Sequence, residues 1–131
     1  MPNTTIKYFT VKEANKTLPL VKKIVRDILD TGYQIRTIAE SLGGKIEGNP
    51  EIERLNYDLQ EYMAELEEIG CYYKDWNFTI GLVDFPGFID GEEIMLCWKS
   101  DEPEIMYYHG VDAGFAGRKP IPPELLEDDK K

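Results

Sequence analysis

The side chains able to do chemistry gather late in the chain: Asp84, Glu104, His109, Asp112 and Arg118. Asp84 is the most informative. In the run Phe78-Thr79-Ile80-Gly81-Leu82-Val83-Asp84-Phe85, counting by twos places it with Phe78, Ile80 and Leu82 on the apolar face. A carboxylate there has to be paired, hydrogen-bonded, bound to a metal or turned out by a bulge before Pro86. His109, the sole histidine, shares parity with Ile105 and Tyr107 on a later strand and is expected to point away from open solvent. An ionised aspartate near an imidazole orients the ring. Asp112 reaches the same area if the chain turns at Gly110, and Gly114 and Gly117 permit a tight, anion-accepting loop ahead of Arg118.

Three uses of this cluster stay open. In the first, Asp84, His109 and Arg118 form a buried hydrogen-bond network that pins the C-terminal segment onto the sheet. In the second, Asp84, Glu104, His109 and Asp112 hold a divalent ion such as manganese, iron or zinc, which suit oxygen ligands with one imidazole. Such an ion acts as a Lewis acid or activates a water. In the third, Arg118 binds an anionic small molecule with Tyr107 as a wall. The chain carries no GxGxxG, P-loop, HExxH, GxSxG or zinc-ribbon pattern. One histidine rules out a multi-histidine zinc site within one chain. A thiol–imidazole catalyst would join His109 to Cys97 or Cys71, but neither cysteine has a cationic or helix-start neighbourhood in the sequence. Cys97, within Met95-Leu96-Cys97-Trp98, reads as a small core residue.

These residues need a scaffold, and the N-terminal half supplies its helices. Val11, Ala14, Leu18, Val21, Val25, Ile28, Gly32, Ile35, Ala39 and Leu42 alternate spacings of 3 and 4, a seven-residue repeat that keeps one stripe against a partner helix. Thr10 and Glu13 form a capping box at its start, Pro19 predicts a kink or break, and Gly43-Gly44 ends it. A second stripe, Ile52, Leu55, Leu59, Tyr62, Leu66 and Ile69, lies between the cap Asn49-Pro50 and the exit Gly70. Residues 11–45 carry seven basic and four acidic groups, whereas 51–68 carry one and seven, so the helices are complementary in charge. Leu20, Ile24, Leu29, Ile38, Tyr57 and Met63 lie off the seam and call for the sheet or a second chain as cover.

After Gly70 the period changes to that of strands: Phe78–Phe85, Glu93–Lys99 and Glu104–His109, with Pro86-Gly87, Asp90-Gly91 and Ser100–Pro103 as turns and Cys71–Lys74 as a further edge. The expected architecture is one α+β domain. A long antiparallel helical hairpin (8–42, kinked near Pro19, and 50–69) precedes a three- to four-stranded antiparallel meander over 72–109. A loop segment (110–121) and a flexible tail (122–131) follow.

Composition bounds the setting. The chain has 131 residues, enough for one sizeable core, and a net charge of −10 that opposes binding to nucleic acid or an anionic membrane. The first ten residues lack the apolar core of a secretion signal, no apolar run has transmembrane length, and the two cysteines form no CxxC pair. A cytoplasmic protein is the expectation. Two classes of function remain: a metal or small-anion site at the sheet end, binding or catalytic, and a non-enzymatic module whose helices form a homodimer or recruit a protein.

Phe9-Thr10 with Glu13-Ala14-Asn15 and Leu18-Pro19-Leu20-Val21 resembles the opening of small prokaryotic proteins grouped as domain of unknown function 2203. Gly81–Pro86, Leu96–Lys99, Glu102 with Glu104-Ile105, and Gly114–Arg118 are similar to its later motifs, in order, so the resemblance spans about residues 8 to 121. Two positions depart from it: Tyr107-Tyr108 stands where a tryptophan is expected beside His109, and Ser100-Asp101 where a glycine makes the turn. The resemblance implies a single cytosolic domain and brings no substrate with it.

Overall fold

The computed structural model describes residues 5–75 and 77–128. Helix α1 (Val11–Ser41) opens with the capping box: Glu13 N–H donates to Thr10 Oγ1 (3.0 Å) and Thr10 N–H to Glu13 Oε1 (2.9 Å). It runs through Pro19 without a break, the proline ring lying on its exposed side. Helix α2 (Pro50–Ile69) begins where Ile52 N–H donates to Asn49 Oδ1 (2.9 Å) and ends at Gly70, whose φ of 111° suits only glycine. The two pack as a hairpin. Val11, Ala14, Leu18, Val21, Val25 and Ile28 of the first stripe are buried, as are Ile52, Leu55, Leu59 and Leu66 of the second. Among the described residues no helix is long and apolar enough to cross a membrane.

Five antiparallel strands follow in sequential order: β1 (Tyr72–Tyr73), β2 (Leu82–Ile89), β3 (Glu92–Lys99), β4 (Tyr107–Gly110) and β5 (Lys119–Pro120). The sheet thus gains a fifth strand beyond the expected three or four. Asp90 (φ 53°) and Gly91 (φ 81°) make the two-residue turn between β2 and β3, the left-handed pair that matches strand twist. Pro86-Gly87 is not a turn but lies inside β2. Pro86 falls beyond the end of β1, where β2 has only β3 for a strand neighbour and a proline is tolerated. There Phe9 N–H donates to the Pro86 carbonyl (2.8 Å), and a Cβ on Gly87 would stand 2.8 Å from the Phe9 carbonyl oxygen. The chain can approach β2 closely only because residue 87 is glycine.

Two strand boundaries also move. Phe78-Thr79-Ile80 is a turn built on buried Asp75, whose carboxylate accepts from the N–H groups of Asn77, Thr79 and Ile80 (3.1, 3.0 and 2.8 Å). Those amides are spent on a side chain instead of a neighbouring strand. Likewise Glu104–Met106 precede β4, with the Ile105 amide donating to Asn15 Oδ1 (2.8 Å). After β5, Pro123–Asp128 form the short helix α3, and Leu125 and Leu126 pack on the core, so part of the expected tail is ordered; residues 129–131 lie outside the described ones.

The core lies between the helices and one face of the sheet. Register pairs Val83 with Trp98, Phe85 with Leu96 and Leu96 with Tyr108, and these side chains join the buried residues of α1 and α2 in one cluster. The alternate residues of the same strands face away from the helices.

Candidate functional site

Partners in an antiparallel ladder share a face, so the register assembles the outward row Tyr72, Asp84, Cys97, Tyr107 across β1 to β4. His109 is one row along, opposite Met95. On the other side, Leu82 pairs with Lys99, and the Lys74 amide donates to the Leu82 carbonyl (2.8 Å), which extends the same face to Lys74. Asp84 therefore sits opposite the helix-packed face, not on it; the apolar set it alternates with is Val83 and Phe85.

Asp84, Cys97 and His109 are nonetheless only 5, 1 and 3% exposed. The segment from Val111 to Arg118 folds back over this part of the face, with a 3-10 turn at Phe115–Gly117. His109 Nε2 lies 3.1 Å from both carboxylate oxygens of Asp84, and Nδ1 lies 2.8 Å from the Gly110 carbonyl. A carbonyl only accepts, so Nδ1 carries a proton and donates it. In the neutral ring Nε2 then presents a lone pair to a carboxylate, and two acceptors meet. Either a shared proton, on the ring or on the carboxyl group, or a metal ion has to lie between them. Single donor atoms of Asp84, Cys97 and His109 all fall within 4.8 Å of one another, and no other such trio occurs among the described residues.

Arg118 fastens the third donor. Its Nε–H donates to Cys97 Sγ (3.3 Å), Nη2 to the Cys97 carbonyl (3.1 Å), and the fork grips Glu102, with 2.8 Å from Nη1 to Oε2. The Tyr107 and Phe115 rings flank the guanidinium at 4.3 and 5.1 Å. Burial works against its charge, but the hydrogen bonds to Glu102 and Cys97 outweigh that and hold it above its ordinary range. Glu102 in turn accepts from the Lys99 amide (2.8 Å), which ties the clamp to the β3–β4 turn. Burial pushes the Cys97 thiol up to about 11, against the Arg118 hydrogen bond, which pulls it down.

A cleft of about 270 Å³ opens above the trio, walled by Lys74, Leu82, Val111, Gly114 and Phe115. Of the residues singled out from the sequence, the fold brings Asp84 and His109 together and sets Arg118 and Tyr107 beside them. Glu104 and Asp112 are exposed and stay outside the trio. Glu104 precedes β4, and the turn closed by the bond from Ala113 N–H to the Gly110 carbonyl (3.0 Å) leaves Asp112 on the solvent side. The amides of Gly117 and Arg118 are spent on the Gly114 and Phe115 carbonyls. Cys97 is the member that sequence reasoning read as core. Its signal was register: once Asp90-Gly91 fixes the hairpin, Cys97 falls opposite Asp84. Cys71 is a core residue, its thiol pushed up to about 12 by burial.

An α+β chain with a helical hairpin on one sheet face and a buried carboxylate–thiol–imidazole trio on the other is the class that fold and site define. Over residues 7–121 it matches the family described as "Uncharacterized conserved protein (DUF2203)", and it belongs to that family. No curated protein and no solved structure matches it.

Proposed function

We propose that Asp84, Cys97 and His109 hold a divalent metal ion at the floor of the cleft, open to a further ligand. The observation that carries this reading is the orientation of His109. With Nδ1–H committed to a backbone carbonyl, Nε2 is left facing a carboxylate, the arrangement by which metal-ligating histidines are fixed. The donor set selects the ion: one thiolate, one imidazole and one carboxylate suit zinc, or iron, better than manganese. An ion held by these three residues with a position left open would polarise a bound oxygen or lower the pKa of a bound water.

Metal analysis of the untagged chain, with zinc and cobalt(II) titrations, tests this. The expected result is one ion per chain and a sulfur-to-cobalt charge-transfer band that Cys97→Ser abolishes, with Asp84→Ala binding no ion. A folded parent chain that takes up no stoichiometric ion would falsify the reading. His109→Ala would then lower only the melting temperature, as for a proton-bridged structural pair.

A helical homodimer is the second reading, supported by exposed Leu20, Tyr33 and Tyr57 on α1 and α2. Light scattering across concentration tests it, and a strict monomer removes it.

A further inference from the structure

Building on the metal site above, we propose that the cleft takes a small monoanion with an apolar body, a short carboxylate, whose charged end is shared between the ion and Lys74. The cation expected from the sequence to receive an anion, Arg118, is already engaged by Glu102, Cys97 and two aromatic rings. Lys74 is different. It extends the β1 edge on the same outward face as Asp84 and lines the cleft, and its ammonium has no ion-pair partner among the described residues.

Charge counting sets the ligand's valence. The Asp84 carboxylate and a metal-bound Cys97 thiolate neutralise a divalent ion, so the floor is neutral and Lys74 adds one positive charge. One negative charge completes the site, whereas a dianion leaves one unmatched in a partly desolvated cleft. The walls set the rest of the ligand. Leu82 is half-buried, and Val111 and Phe115 stand at the cleft 47 and 45% exposed, two large apolar side chains that the chain itself does not cover. About 270 Å³ holds a small molecule and no more.

Two titrations separate this proposal from the metal reading. Cobalt(II) is first titrated into the chain and its Lys74→Ala and Lys74→Arg variants, which are expected to bind it equally because Lys74 is not a donor. Acetate, butyrate and inorganic phosphate are then titrated into the loaded proteins while the cobalt d–d bands are followed. Butyrate should bind more tightly than acetate and phosphate least. Lys74→Ala should weaken both carboxylates about tenfold, the size of one partly screened charge contact, and Lys74→Arg should restore them. Carboxylate binding unchanged by Lys74→Ala, or preference for phosphate, overturns the proposal and leaves the metal site standing. Failure of the first titration removes the metal reading, and this proposal falls with it.

Discussion

The two faces of the sheet are made by the same strands and buried by different means. Facing the helices, Phe85, Leu96 and Trp98 meet a continuous apolar layer, where contact is non-directional and any well-fitting hydrocarbon serves. Facing outward, Asp84, Cys97 and His109 are as deeply buried, but beneath a single loop and the Arg118 clamp. Polar groups are stable there because each has a directional partner: every buried side-chain nitrogen and oxygen among the described residues has a polar atom within hydrogen-bonding distance. Low exposure therefore rests on apolar contact on one face and on directional polar contacts on the other. The difference lies in what does the covering.

The largest expected effect is on the inner face. Phe85→Ala removes a fully buried ring set edge-on to Phe9, with centroids 5.3 Å apart. Chemical denaturation should show a loss of about 3–5 kcal/mol, while the folded fraction keeps its zinc affinity. A matching fall in affinity would break the separation of the two faces. On the outer face, Arg118→Gln should cost about 10–100-fold in zinc affinity by calorimetry, the usual effect of removing a group that orients a ligand. It should also shift the sulfur-to-cobalt band, which a merely destabilised fold would leave in place.

Acidity gives a finer test. The Cys97 thiol, pushed up to about 11, keeps its proton at neutral pH and has to release it to bind an ion. Affinity should accordingly rise with pH, about tenfold per unit for each proton displaced, and the thiol's share of that slope should vanish in Cys97→Ser. The smallest effect concerns the exposed carboxylates. Glu104→Ala and Asp112→Ala should leave both the melting temperature and zinc stoichiometry unchanged. Loss of the ion in either variant would restore them as ligands and redraw the site.

Legibility in the sequence followed the range of the interactions. The helical stripe, the Thr10–Glu13 box, the Asn49-Pro50 cap and the Asp90-Gly91 turn were readable because each depends on residues a few positions apart. Alternation marked Asp84 and His109 as strand residues that needed partners, but it set Asp84 on the apolar face, whereas the register turns it away from the helices. The start of β2 was misplaced because Asp75 takes three amides that an isolated strand pattern would assign to a neighbour. Residue identity likewise set the cap, turn and donor types: one imidazole, two thiols and a surplus of carboxylates.

Which carboxylate and which thiol are gathered, and that Arg118 grips Cys97 while Lys74 faces the cleft, was decided only by the fold. Each of these contacts joins residues distant along the chain. Their positions depend on register and on the path of one loop, quantities set by the simultaneous packing of the whole sheet and not by any local stretch of it.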